Sequence, residues 1–99
     1  MKGTIWHCNR DVGIEKLKYI RDKYEWAGIP ALGGSFARQG AWLEFANGDV
    51  WRCVSANESS RGIRSNIAWV DAGVDEDFLR TIILRTLTLS GERRYEFFY

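Results

Sequence analysis

The chain has 99 residues, a length that fits one domain and leaves no room for a second hydrophobic core. Hydrophobic residues make up 45% of it and aromatic residues 14%, which is enough to build a core and excludes an intrinsically disordered chain. A net charge of +1 excludes both a histone-like polycation and an acidic DNA mimic. Any electrostatic binding site must therefore be local.

The sequence indicates a cytoplasmic protein with reduced thiols. It contains no apolar run approaching the ~20 residues of a membrane helix, and its N-terminus has no secretory signal. Cys8 and Cys53, with only His7 to help, do not supply the ligand set of a structural zinc site. We expect both thiols to be reduced and to lie in the core. A nucleophile pair of Cys8 and His7 is disfavoured, because neighbouring side chains on a strand point to opposite faces.

The first third of the chain is predicted to form a strand followed by a helix. Residues 3–8 are β-branched and aromatic, which is typical of a strand, and Asp11 is placed to cap the helix that follows. From Asp11 to about Trp26, apolar and basic side chains recur at helical spacing, so one face is predicted to be buried and the other solvated. Gly28 and Pro30 then end the helix.

The glycine-rich stretch 33–40 follows, and it carries Arg38. Its backbone amides could bind a phosphate, but it lacks the G-x-x-x-x-G-K-[ST] pattern that places a lysine on the phosphates. We therefore interpret it as a flexible connector.

A β-hairpin is the clearest local feature. Residues 42–45 (WLEF) and 50–54 (VWRCV) form alternating strands, joined through Asn47 and Gly48. Because Asn-Gly is the preferred pair for a type I′ turn, the sequence predicts that turn here.

The rest of the chain is predicted to form a loop, a strand, a helix and a last strand. Residues 55–65 are polar, and this loop presents two guanidinium groups, those of Arg61 and Arg64. The apolar run 66–70 predicts a central strand ending at Asp71, at the edge where open α/β sheets bind ligands. Asp75 is predicted to cap a second helix, and residues 93–99 a last strand. The buried stripe predicted for that helix consists of Phe78, Leu79, Ile82, Ile83 and Leu87.

The order of these elements predicts a single small α/β domain over residues 1–99. We expect a two-layer or three-layer-like arrangement of one sheet, two main helices and the hairpin.

The same order resembles the middle of the ATPase domain of phage terminase large subunits. The resemblance is carried by the hairpin LEFANGDVWRC, the loop segment SSRG-x-R and the apolar strand that ends in an acid, and it spans residues 4 to 90. It implies a truncated P-loop ATPase core in a phage protein that acts in the cytoplasm of the host cell.

The resemblance also implies roles for single residues. Asp71 matches the Walker B aspartate that holds the magnesium shell, which makes it a weak metal candidate, and Arg61 with Gly62 matches the loop before it. Ala72 stands where the catalytic glutamate is expected, although an alternative alignment would use Asp75 and Glu76. No Walker A segment is present, so independent ATP hydrolysis, a cofactor and a bound metal are not expected. Without the resemblance, Asp71 is interpreted as a cap of the turn that follows it.

Three functional hypotheses remain. The first is a non-catalytic domain that binds nucleic acid or a protein partner through Arg38, Arg61 and Arg64, with Trp42 or Trp51 as a stacking group. The second is a small phage-type inhibitor or anti-defence protein that binds a host protein complex. The third is an enzyme half that needs a separate P-loop chain.

The last predicted strand also bears on assembly. The sequence RRYEFFY is aromatic, and a strand at the edge of a sheet can pair with a copy of itself. We therefore predict a homodimer through this edge.

Overall fold

The structure of the chain is a computed structural model, which describes residues 1–37, 40–56, 63–87 and 94–98. The strands in these ranges are β1 (Lys2–His7), β2 (Ala31–Ser35), β3 (Trp42–Phe45), β4 (Val50–Ser55), β5 (Ile67–Asp71) and β6 (Arg94–Phe98). They form one six-stranded sheet with the order β2-β3-β4-β1-β5-β6. Strands β4, β1, β5 and β6 are parallel, while β3 and β2 continue the sheet as antiparallel neighbours of β4 and β3.

One helix packs on each face of this sheet. Helix α1 (Arg10–Trp26) follows β1, and a second helical run follows β5. That run is α-helical over Glu76–Phe78, π-helical over Leu79–Ile83 and α-helical again over Leu84–Thr86, and we call the whole of 76–86 helix α2. No helix in the described part of the chain is long and apolar enough to cross a membrane.

The alternation of side chains along the strands creates a hydrophobic core on each face of the sheet. Ile5 points toward α1 and its neighbour Trp6 toward α2, and both are fully buried. The α1-side core consists of Ile5, Leu17, Ile20, Ala41, Leu43, Phe45, Trp51 and Phe98. The α2-side core consists of Trp6, Val54, Ala68, Val70, Leu79, Ile83 and Leu87. The predicted small α/β domain with one sheet, two helices and a hairpin is therefore confirmed.

Two local predictions in the first half of the chain are wrong. The N-cap of α1 is Asn9 rather than Asp11, since the Asn9 side chain accepts a hydrogen bond of 2.8 Å from the Asp11 amide. The glycine-rich stretch begins with an ordered edge strand, β2, rather than a connector. Glycine lowers strand propensity, but pairing with β3 provides the backbone with hydrogen-bond partners. This tertiary pairing outweighs the local propensity, so the segment forms a strand.

The hairpin is confirmed, but its turn type is not. A type I′ turn needs positive φ at both central residues, and Gly48 has a φ of 90° while no described residue other than glycine has a positive φ. The Gly48 amide donates to the Phe45 carbonyl at 2.9 Å, and the Phe45 amide donates to the Asp49 carbonyl at 2.8 Å. Gly48 alone therefore takes the left-handed conformation, as in a three-residue hairpin loop.

In the described part of the second half of the chain, β5, α2 and β6 lie where the sequence predicts strand, helix and strand, while most of the predicted loop 55–65 lies outside the described residues. Asp75 caps the helix as predicted, with its carboxylate accepting from the Asp77 amide at 3.3 Å. In the predicted stripe, Leu79, Ile83 and Leu87 are buried, while Phe78 and Ile82 are only partly buried. A π-helical turn winds more slowly than an α-helical one, which rotates the apolar stripe relative to the sheet.

A hydrogen-bonded network ties α1 to the hairpin. The Tyr24 hydroxyl donates to Asp49 at 2.6 Å and accepts from the Trp51 indole N–H at 3.0 Å, and its ring stacks on Phe45. Burial, reinforced by the bond to Asp49, raises the pKa of Tyr24 to about 12. For Asp49, burial alone would raise the pKa, but hydrogen bonds from Tyr24, the Met1 amino group and Asn47 outweigh it and lower the pKa. The network therefore stabilises Asp49 in its charged form and Tyr24 in its neutral form.

We expect this network to make the free energy of unfolding depend on pH at both extremes. Because the pKa of Asp49 is lowered by folding, its contribution is present above its unfolded value of about 3.9 and is lost as the pH falls through the folded value. Because the pKa of Tyr24 is raised, its contribution is present below about pH 10 and is lost as the pH rises toward about 12. Urea unfolding measured across pH tests both.

Asp49→Asn should make the free energy of unfolding less dependent on pH at the acid end. Tyr24→Phe should do the same at the alkaline end. Tyr19→Phe, at an exposed tyrosine on the same helix, is the matched control and should leave both ends as in the parent. An unchanged alkaline limb in Tyr24→Phe would contradict this assignment.

Candidate functional site

Two parts of the sheet are candidate sites. The first is the edge formed by the carboxyl ends of the parallel strands, where polar groups meet. From β1 the chain passes through α1 to strands on one side, and from β5 it passes through α2 to β6 on the other side. The direction of the connections therefore reverses between β1 and β5, the position where open α/β sheets bind ligands. Cys8, which follows β1, and Asp71, which ends β5, both lie there.

Asp71 caps the turn after β5. Its Oδ1 accepts from the Gly73 amide at 2.9 Å, and its Oδ2 accepts from the Cys8 amide at 3.4 Å. The Val74 amide closes the turn by donating to the Asp71 carbonyl at 2.9 Å. These bonds are the capping role expected of Asp71 without the family resemblance. In the described part of the chain, no three His, Cys, Asp or Glu side chains come together as a set of metal ligands.

The two thiols differ in exposure. Cys53 is partly buried against α1, where its Sγ lies 3.4 Å from the Gly13 carbonyl, but Cys8 is exposed, so the prediction of a core position is wrong for it. Partial burial, and then the Asp71 charge, raise the pKa of Cys8, and burial raises the pKa of Cys53 to about 12. Both thiols are therefore protonated at neutral pH, which disfavours a thiolate nucleophile at this edge. His7 is buried beside Gly13, away from the exposed Cys8.

Side chains suited to binding also meet on the face of the sheet opposite α1. On this face α2 packs at the β5 end, and the hairpin strands lie at the other end. Trp42 and Arg52 are directly opposite each other in the antiparallel pair β3–β4, and Arg52 is opposite Thr4 in the parallel pair β4–β1. These three side chains therefore form one row across the sheet, on the face opposite α1. Trp42 is 40% exposed and Arg52 is exposed, because α2 packs over the β5 end of this face. We call the β3–β4 part of this surface the open face.

A basic cleft adjoins the open face. It has a volume of about 310 Å³, and its lining includes three exposed cations. These cations are Lys2, Arg52 and Arg64, and Gly3, Thr4, Val50 and Ile63 complete the lining. No acidic side chain lines the cleft within the described ranges. Glu44, two residues from Trp42 on β3, is an exposed acid on the open face itself but outside the cleft.

The structure brings only part of the predicted binding set together. Trp42 and Arg64 lie at the open face and its cleft, while Arg38 and Arg61 lie outside the described residues. The prediction that Trp51 is a stacking group is wrong. Trp51 is only 4% exposed and belongs to the α1-side core, so its ring cannot stack on a ligand. Its position on β4 turns it toward α1, as the alternation along the strand requires.

Sequence reasoning missed Lys2 and Arg52. The predicted two-residue turn would have set Arg52 opposite Leu43, and only the three-residue loop of the structure sets it opposite Trp42 on the same face. No local pattern pointed to Lys2, which reaches the cleft only because β1 pairs with β4 far along the chain.

The terminase resemblance is carried by the hairpin, residues 59–62 (SSRG) and Asp71. The hairpin and Asp71 stand in the predicted strands, and residues 59–62 lie outside the described ranges. The resemblance therefore stays a prediction from short motifs. No protein-family model, curated protein or solved structure matches this chain.

Proposed function

We propose that this protein binds single-stranded nucleic acid on the open face of its sheet, without catalysis. The observation that carries the proposal is the row in which exposed Trp42 and Arg52 stand side by side, next to a cleft with two further cations, Lys2 and Arg64. In this arrangement the cleft binds phosphates and the indole stacks on a base.

Physical chemistry favours a single strand over a duplex. A Trp ring can stack only on a base that is not already stacked within a helix, and such stacking tolerates any sequence. The cations supply the phosphate contacts that position the backbone but carry no sequence information. Within the described residues, no ion pair engages Lys2, Arg52 or Arg64, so all three charges are available to a ligand.

The family resemblance supports the same class of partner. The proposal takes this chain as a terminase-like domain without a P-loop, which keeps a surface for nucleic acid but lacks the groups that stabilise phosphoryl transfer. In this proposal the protein is a phage-type protein in the host cytoplasm, where both of its free cysteines stay reduced.

Fluorescence anisotropy with labelled single-stranded DNA, single-stranded RNA and a matched duplex tests the proposal. We expect Trp42→Ala to lower the affinity for single strands by about 5- to 150-fold, the effect of removing one stacking group. Arg52→Ala and Arg64→Ala should each weaken binding for all sequences alike. Each should also reduce the slope of log affinity against log salt concentration by about 1. Comparison of DNA with RNA identifies which single strand is the ligand.

Trp26→Ala is the matched control. Trp26 is 92% exposed at the end of α1, on the other side of the sheet from Trp42, so its loss should leave anisotropy unchanged. Absence of binding at low salt, or an equal loss in both Trp variants, would overturn the proposal.

A second candidate function is binding to a host protein as an inhibitor. It is favoured by Trp26 and Tyr19, exposed aromatic residues that line a shallow depression of about 340 Å³ together with Asp22 and Lys23. Exposed aromatic groups of this kind are enriched at protein interfaces. A pull-down from host lysate with nuclease separates the two functions. A nuclease-resistant partner that Trp26→Ala loses and Trp42→Ala keeps would favour the inhibitor.

A further inference from the structure

We propose that strand β6 pairs antiparallel with β6 of a second copy of this chain, so that two sheets join into one. The pairing is centred on Tyr95 and places Arg94 opposite the partner subunit's Glu96. This inference does not depend on the proposed nucleic-acid binding, since β6 lies at the opposite end of the sheet from the hairpin.

Within the described residues, the outer edge of strand β6 is unpaired, and backbone hydrogen-bonding groups on this edge are directed away from the sheet. Strand β6 pairs only with β5 among the described strands. The Phe98 carbonyl accepts from the Ala72 amide at 2.9 Å, so Phe98 directs its backbone groups inward. Because these groups alternate along a strand, those of Glu96 also point inward, and those of Tyr95 and Phe97 point outward. A strand with free outward groups is a template for pairing with another chain.

The two edges of the sheet differ in how they are protected. At the other edge, β2 follows Pro30, contains the adjacent glycines Gly33 and Gly34, and has an irregular register after Ala31. Proline, glycine, bulges and charged side chains are devices that discourage edge-to-edge pairing. Between Arg94 and Phe98, β6 has no proline, glycine or bulge, and its two charged residues, Arg94 and Glu96, are of opposite sign. The contrast favours β6 as the edge that another strand joins.

The charges on β6 select one register. Arg94 and Glu96 lie on the same face as Phe98, toward α1, because side chains alternate along the strand. An antiparallel pair centred on Tyr95 brings each Arg94 opposite the partner subunit's Glu96, which gives two opposite-charge contacts. A pair centred on Glu96 would instead oppose two identical carboxylates. Opposite charges on facing positions stabilise a sheet and like charges destabilise it.

Exposed aromatic surface adds to the same edge. Tyr95 is 39% exposed and Phe97 is 49% exposed, and their rings contact each other edge to face with centroids 5.8 Å apart. Both lie on the face opposite Arg94 and Glu96. In the Tyr95-centred register the two Tyr95 side chains stand directly opposite each other, so apolar surface leaves water on one face while the charges pair on the other.

Light scattering after size exclusion, over a range of concentrations, tests the pairing with the full chain. We expect the parent chain to approach twice the monomer mass. Arg94→Glu and Glu96→Arg should each shift the mass to that of a monomer, because each opposes like charges twice. An equimolar mixture of the two variants should return to the dimer mass, since one copy then carries only acids at these positions and the other only bases.

The mixture also shows that both variants are folded, because an unfolded chain would not pair in register. Arg85→Glu, at an exposed arginine of α2, makes the same charge change away from the edge and should stay dimeric. A parent chain that is monomeric at every concentration would overturn the proposal. A dimer that Arg94→Glu does not weaken would overturn the Tyr95-centred register.

Discussion

Replacing Trp6 by alanine is expected to lower the free energy of unfolding by about 3–5 kcal/mol. Trp6 is fully buried in the α2-side core, where its ring meets Phe78 edge to face with centroids 5.8 Å apart. Its indole N–H donates to the Thr4 hydroxyl at 3.1 Å. The variant removes the largest side chain of that core, opens a cavity and removes a donor from a buried hydroxyl. Since small domains have only about 5–15 kcal/mol of stability, the loss approaches complete unfolding.

Urea unfolding at equilibrium measures this loss. Trp6→Phe keeps a ring in the cavity and should cost less than Trp6→Ala, because less volume is vacated. Trp26→Ala removes the same side chain from an exposed position and should change stability by no more than about 0.5 kcal/mol. A Trp6→Ala variant as stable as Trp26→Ala would show that the α2-side core does not hold the sheet together.

Replacing Gly3 by alanine is expected to destabilise the fold by about 1–3 kcal/mol. A Cβ at Gly3 would lie 2.4 Å from Trp51 Cε3, and that ring is only 4% exposed and is hydrogen-bonded to Tyr24. The ring cannot withdraw without disturbing the Tyr24–Asp49 network. Gly33→Ala is the matched control, because a Cβ there meets nothing within 4 Å, and it should leave stability nearly unchanged.

A double-mutant cycle locates the cause of the Gly3→Ala effect. Trp51→Leu is destabilising by itself, since it shortens a core side chain. In the Trp51→Leu background, however, Gly3→Ala should cost much less than in the parent, because the added methyl group fills the vacated space. If the urea midpoint of the double variant fell by the sum of the two single losses, the cost of Gly3→Ala would lie elsewhere than against the Trp51 ring.

The amino-acid sequence by itself determined the elements whose patterns are local. The periodicity of the segment ending at Trp26, the alternating hairpin strands and the cap at Asp75 all depend on neighbours within a few residues. Each of these elements stands in the structure with bounds close to those predicted. Local hydrogen bonding and side-chain period are enough to define such elements.

Only the tertiary structure decided which face of each strand is buried and which groups meet. Trp42 and Trp51 have similar sequence surroundings, but α1 packs on one face of the hairpin, so Trp51 enters the core while Trp42 stays exposed. Lys2 and Arg64 reach one cleft because β1 lies between β4 and β5 in the sheet. The physical reason is that side-chain alternation fixes which residues share a face, but only long-range strand pairing and helix packing fix which face meets water.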